Sequence, residues 1–304
     1  MRRILPRLYI QISSNGEKMK RKSLVYNWIN VLVLLAAALI FFLNYNIHSV
    51  FDGIGTNQIL IITATVIIVH FLKAFRLYLA LYGSNISASS YAKIYCKVTP
   101  VSILMPFKLG ELFRMYCHGH TIDNMLKGIV TVVLDRFMDT MALITMIIVM
   151  WLYSGEAIIP LVYLLVVFII AAVLLFIVFP GLYAYWKKYL LRATGTPRKL
   201  RALLYLDKMN MVYDEILNVS KGRGIILYVL SLLAWGTEIG SVAIMNGLGE
   251  KSGLSQKISE YLKSALSGSQ TIELKRFILI SVVLMIVIYL LVKLGDMTKG
   301  KERK

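Results

Sequence analysis

Residues 106–114 read PFKLGELFR, from Pro106 to Arg114, and this stretch decides how the chain must fold. It stands between long apolar runs. Yet it holds a proline, a glycine, two basic residues and a glutamate, and the next apolar run carries Asp135, Arg136 and Asp139. In water such a mixture would be unremarkable. At bilayer depth each ionised side chain costs about 2.5 to 3.5 kcal/mol on insertion scales, so a cluster needs a reason.

The surrounding composition puts the stretch in a bilayer. The chain has 304 residues, 58% of them hydrophobic, with a mean hydropathy of +0.70. That is too apolar for one soluble core with a wettable surface and points to an all-α, polytopic membrane protein. The net charge of +18 falls mostly in the segments between apolar runs, the pattern of cytoplasmic loops. Nucleic acid is not the expected partner, since neither a recognition motif nor a basic helix accompanies the charge. Cys96 and Cys117 give no disulfide framework and read as small, reduced fillers on the cytoplasmic side.

Around PFKLGELFR, the apolar stretches between Tyr91 and His120 are shorter than the roughly 20 residues a helix needs to cross. Pro100 and Pro106 are each expected to interrupt the helical ladder. Residues 91–120 therefore read as a re-entrant hairpin, entering and leaving on the cytoplasmic side, with Pro106 and Gly110 as its breakers. Broken backbone survives in a bilayer only under protein cover or beside a wet cavity. Pro106 suits the first turn of a half-helix over Phe107–His118, whose free N–H groups would form an anion site.

Working outward, residues 1–26 form a basic cytoplasmic flank and 27–45 a first span, read as a retained anchor because no small-x-small cleavage site ends it. Residues 58–81 make the second span, with Lys73 and Arg76 in its last turns. Residues 129–153 are the third and 158–186 the fourth, apolar all round and assigned to packing. Residues 187–223 hold nine Lys or Arg and form a cytoplasmic loop with an interfacial helix over 200–219. Anionic headgroups would attract those charges, although orientation alone explains them. The fifth span, 224–248, contains Trp235 and Glu238. Within 250–274, Leu254, Ile258, Tyr261 and Leu262 recur at helical spacing, as in an amphipathic helix at the outer interface. A last span covers 277–294, and 295–304 is a cytoplasmic tail. The expectation is one transmembrane domain, 27–294, of about six spans plus the hairpin, with both termini inside.

The charged set is Lys73, Arg76, Lys108, Arg114 and Arg136, the expected headgroup and phosphate ligands, against the orienting carboxylates Glu111, Asp135, Asp139 and Glu238. Two readings stay open. An internally compensated network would merely fasten the hairpin to the spans. Alternatively, Lys108 and Arg76, which have no obvious partner in sequence, would hold a phosphate beside the half-helix, with arginine giving bidentate contacts. The carboxylates would orient those cations. Cys117, His118 and His120 are too close together for a metal site, and no second ligand pair exists. His70 reads as a packed residue. No nucleophile elbow, phosphate-binding loop or dinucleotide fingerprint is present, so neither a metal nor another cofactor is expected.

The succession FLKAFRLYLAL, SILMPFKLGELFRMY and VVLDRFMDT resembles the lysylphosphatidylglycerol synthase transmembrane-region family. This is a flippase-like domain fused to aminoacyl-phospholipid synthases and also found alone. The family pattern is an arginine-rich end to an early span, then a proline, a basic residue and Gly-Glu-x-x-Arg, then Glu-Arg-x-x-Asp. Arg76 matches the first element. Pro106, Lys108, Gly110, Glu111 and Arg114 match the second, and Asp135, Arg136 and Asp139 the third. SLLAWGTEIGSVAIMNGLG is similar to a later Trp-containing span. Asp135 replaces the usual glutamate, Ser102 stands where asparagine is common, and the family's Pro-Gly-rich segment is missing around Leu254–Thr271.

The resemblance implies a protein of a prokaryotic cytoplasmic membrane that binds and moves an anionic or aminoacylated phospholipid, glycolipid or polyprenyl-phosphate. With no synthase domain after the last span, aminoacyl transfer is not expected of this chain. The alternatives are an intramembrane transferase using Asp135 or Asp139 as base, and an accessory subunit whose 187–223 loop docks a separately encoded synthase or glycosyltransferase.

Overall fold

The computed structural model describes residues 50–301 apart from 85, 105–108, 156–158, 193–196, 248–252 and 268–270, together with 32, 35, 36 and 39. The basic flank, most of the first expected span, and the hairpin tip with Pro106 and Lys108 lie outside the described residues. Among those described, the chain forms nine helices and no strand. They are α1 (Thr56–Ala80), α2 (Ala88–Leu104), α3 (Leu109–Thr121), α4 (Met125–Ser154), α5 (Pro160–Arg192), α6 (Pro197–Ser220), α7 (Gly224–Gly247), α8 (Leu254–Ser267) and α9 (Ile272–Lys301).

Four of these supply stretches long and apolar enough to cross a membrane: α1, α5, Gly224–Met245 of α7 and Ile272–Val292 of α9. Helix α4 is 30 residues long but carries Asp135, Arg136 and Asp139 in mid-course. The burial pattern is that of a chain dissolved in oil. Phe71 and Leu152 are 68% and 72% exposed, whereas Arg76 is 1% and Glu238 3% exposed. Ionic side chains turn inward because hydrocarbon offers them no partner.

Helices α1 and α7 lie along one another, and both pack on α4. A core of Ile144, Ile147, Trp235, Val242, Tyr261 and Leu262 joins α4, α7 and α8. Beside it, α2 and α3 lie together and close against α9 and α4 respectively.

Helix α3 meets α4 through a tight turn. Asp123 adopts a left-handed φ of 53°, and the Asn124 side chain accepts from the Lys127 N–H at 3.0 Å, capping α4. Just beyond the turn, Gly128 faces Gly119 so closely that a Cβ on Gly128 would stand 2.4 Å from the Gly119 Cα. Small residues at a helix contact let backbones approach in this way. The seam sets Arg114, five residues before Gly119, against Asp135, seven after Gly128. At the other end of α3, a Cβ on Gly110 would lie 2.3 Å from the Ser102 carbonyl oxygen of α2. Gly110, read from sequence as a breaker, sits in the first turn of α3 at this close crossing.

Three local expectations differ from what the fold shows. Helix α2 does not stop at Pro100 but runs on to Leu104. Proline removes a single donor, and the preceding Thr99 hydroxyl donates back to the Tyr95 carbonyl at 2.6 Å, keeping that turn closed. Helix α5, assigned to packing, buries only Val162 and Phe179. Its oily surface faces outward, as a lipid-facing helix does. The apolar stripe of α8, assigned to the outer interface, is covered by α4 and α7, with Ile258, Tyr261 and Leu262 buried. The stripe includes a tyrosine whose hydroxyl needs a buried acceptor, and Glu238 provides it.

The segment read as a basic loop continues α5 and then returns along it as α6. Phe179 stacks on Tyr213, centroids 5.0 Å apart. Tyr183 donates to Asp207 at 2.8 Å, and Lys187 lies 3.4 Å from the same oxygen. The Tyr183 hydrogen bond, with Lys187 beside it, holds the Asp207 carboxyl below the usual carboxylate range.

Candidate functional site

Lys73 and Arg76 are three residues apart on α1 and share a face toward α4 and α7. Asp135 and Asp139, one turn apart on α4, meet that face. Arg76 Nε donates to Asp135 Oδ1 at 2.7 Å and Nη1 to Asp139 Oδ1 at 3.0 Å. Nη1 also donates to the Ser231 hydroxyl of α7. Trp235 fixes the same turn of α4 from the α7 side, its indole N–H donating to the Asp139 carbonyl at 3.2 Å. Arg76, read from sequence as lacking a partner, is thus matched by two carboxylates. Their residues lie 59 and 63 positions away in sequence, so no local spacing could reveal the pairing.

A second layer lies toward α3. Arg114 Nη2 stands 3.4 Å from Asp135 Oδ2, and Nη1 stands 3.6 Å from Glu111 Oε2 one turn earlier. Both contacts are within ion-pair reach but outside hydrogen-bond geometry, for neither carboxylate oxygen has a hydrogen-bond partner. Arg136 Nε lies 3.0 Å from Glu111 Oε1 and Nη1 lies 3.7 Å from Asp139 Oδ2, with the Arg136 side chain 44% exposed. On the far side, Lys73 Nζ donates to Glu238 Oε1 at 3.1 Å and lies 5.8 Å from the Trp235 ring centre. Tyr261 of α8 donates to the other Glu238 oxygen at 3.0 Å.

Among the described residues, Lys73, Arg76, Arg114 and Arg136 are therefore balanced by Glu111, Asp135, Asp139 and Glu238. Lys108, the fifth expected cation, lies outside them, as does Pro106. The cations do not all have the same duty. A cavity of about 170 Å³ is lined by Lys73, Arg114, Arg136 and Asp135, and Arg76 stands behind its wall. That volume exceeds the room one water needs, about 10–15 Å³ on the same measure.

The lining also includes residues given no site role from sequence, among them His70 of α1, read as packed, Tyr95 of α2 and Ser281 of α9. His70 Nε2 and Ser281 Oγ are buried and have no hydrogen-bond partner among the described residues. An unmatched buried polar atom costs about 1–3 kcal/mol, so two beside three cations around one cavity mark a place for a polar guest. The signal for Ser281 was the one serine in an oily span. For His70 it was the spacing of three from Lys73. Cys117 and His118 are buried in α3, and His118 stacks on Tyr91, centroids 6.3 Å apart.

The class is defined at this point: a multi-pass helical membrane protein whose buried ionic cluster walls a polar cavity. The model of the lysylphosphatidylglycerol synthase transmembrane region matches residues 27–247, and the chain belongs to that family. No curated protein and no solved structure matches it.

Proposed function

We propose that this protein binds the phosphate-bearing head of an anionic or aminoacylated phospholipid, glycolipid or polyprenyl-phosphate and carries it across a prokaryotic cytoplasmic membrane. The observation that carries the reading is the cavity between α1, α2, α3, α4 and α9, where Arg114, Arg136 and Lys73 stand beside the unmatched His70 Nε2 and Ser281 Oγ. Arg114 has ion-pair contacts without hydrogen bonds, so its guanidinium can turn to a phosphate at little loss. Asp135 and Glu111 orient the two arginines, and Arg76 orients Asp135. Helices α2 and α3 enter from the cytoplasmic side as a re-entrant pair, with both chain termini on that side.

Transport fits the carboxylates better than catalysis does. Asp139 faces Arg76 and does not line the cavity, and Asp135 is shared between Arg76 and Arg114. Neither stands free to take a proton from a substrate. A separately encoded synthase or glycosyltransferase would supply or consume the lipid rather than complete this site.

The test is reconstitution into vesicles carrying head-labelled phosphatidylglycerol, polyprenyl-phosphate or glycolipid on one leaflet. Protein-dependent equilibration that disappears in Arg114→Ala supports the reading. Folded wild-type protein that leaves all three distributions unchanged overturns it.

A further inference from the structure

The polar cavity has an oily neighbour. Between α1, α2 and α9 runs a groove of about 340 Å³ bounded by Phe71, Ala74, Tyr78, Ala92, Met285 and Ile288, among others. Its described lining side chains are aliphatic or aromatic apart from His70 and Cys96, and none is Asp, Glu, Lys or Arg. The cavity and the groove share two residues, His70 and Tyr95. These face each other across the partition, His70 Nδ1 lying 3.4 Å from the Tyr95 hydroxyl, which also donates to the His70 carbonyl at 3.3 Å.

We infer that the groove is the acyl-chain subsite of the lipid whose head occupies the cavity, with the His70–Tyr95 pair dividing head from chain. This rests on the phosphate-head reading above. One amphiphile needs two adjoining environments, one ionic and one oily, and here a single pair of side chains separates them. Phe71 and Phe75 form the outer lip on α1, stacked with centroids 6.4 Å apart and open to the surrounding lipid. The groove does not attract a chain more strongly than the bilayer does, because lipid tails are as apolar as its walls. Its service is geometric: the chain stays in oil while the head reaches Arg114.

A second apolar groove supplies the control. It is bounded by Phe51, Thr63, Leu279 and Val283, among others, and shares only Leu284 with the first groove and no residue with the polar cavity. An ordinary lipid-facing furrow of that kind has no link to head binding.

The purified full chain is assayed with two probes, dioleoyl phosphatidylglycerol in detergent micelles and sn-glycerol 3-phosphate, which has a head and no chain. Ala74→Trp and Ala92→Trp, which fill the groove from α1 and α2, should weaken phosphatidylglycerol binding about tenfold or more and leave glycerol phosphate within about twofold. Val283→Trp in the control groove should change neither. The subsite falls if both groove-filling variants keep wild-type lipid affinity, or if Val283→Trp weakens it as much. It falls together with the head site if the wild type binds neither probe.

A measurement on the unaltered protein covers the case in which a tryptophan prevents folding. Phosphatidylglycerol with a photoreactive group in its chain should label peptides spanning 67–78 and 88–96, which line the first groove and not the control, and excess unlabelled phosphatidylglycerol should suppress the labelling. Labelling concentrated on the outward surface of α5 overturns the assignment.

Discussion

Arg76 and Asp135 form a buried ion pair at 2.7 Å, and the other oxygen of the same carboxylate stands 3.4 Å from Arg114. One carboxylate thus joins an arginine that belongs to the frame to one that lines the cavity. Removing the charge of Asp135 leaves Arg76 with Asp139 alone and Arg114 with Glu111 alone. Asp135→Asn should destabilise the protein by about 3–5 kcal/mol, the cost of an uncompensated buried charge. Asp135→Glu, which keeps the charge, should cost clearly less. Thermal unfolding of the two variants in detergent checks the order.

Arg136 is the cavity cation with the least structural duty, its side chain 44% exposed. Arg136→Ala should leave the unfolding temperature within a few degrees of wild type, since an exposed pair is worth about 0–1 kcal/mol. It should nevertheless weaken glycerol phosphate binding about tenfold, the effect of losing roughly 1.4 kcal/mol of head contact. Equal affinity in the variant would remove Arg136 from the site.

The seam between Gly119 and Gly128 has no room for a methyl group, because the Cβ on Gly128 would meet the Gly119 backbone at 2.4 Å. Gly128→Ala should force α3 off α4 and destabilise by about 1–3 kcal/mol. Gly181→Ala, at a helical glycine with nothing within 4 Å, is the control and should cost nothing measurable. Unfolding curves of the pair decide it.

Tyr261→Phe deletes the hydrogen bond to Glu238 and leaves a buried carboxylate oxygen unmatched. The expected cost is about 1–3 kcal/mol, together with faster amide exchange along α8, which that bond fastens to α7. Unchanged exchange in α8 would show that its apolar stripe alone holds it.

Because Tyr183 and Lys187 hold the Asp207 carboxyl below its ordinary range, the clasp between α5 and α6 is complete above that range. It is lost as pH falls through the lowered value, when the acid takes up its proton. Tryptic cleavage after Arg198 or Lys199 at neutral pH should be faster in Asp207→Asn than in wild type. Amide exchange of wild-type α6 should accelerate in acid, whereas exchange in the variant should show no such step.

Much of the fold was legible because a bilayer writes in long apolar runs, and helices α1, α4, α5, α7 and α9 all follow such runs. The charged set was legible for the same reason, since ionised residues stand out against oil. Partnerships were not. Arg76 meets Asp135, and Lys73 meets Glu238 some 165 positions away, through packing that no local spacing encodes. The neutral wall of the cavity was also hidden, because Tyr95 and Ser281 look like ordinary helix residues until three elements converge. The stripe of α8 showed a helix but could not tell lipid from protein as its cover, since both accept leucine equally.

Among the described residues four cations balance four carboxylates, and on the proposed transport reading this has an electrical consequence. Such a set does not cancel the charge of its cargo, so a monoanionic lipid would cross as a moving negative charge. A membrane potential negative inside would then drive it outward, with about 2.3 kcal/mol per 100 mV of driving force. A lipid whose net charge is positive would be pulled the opposite way, so the same voltage is an engine for one cargo and a brake for the other.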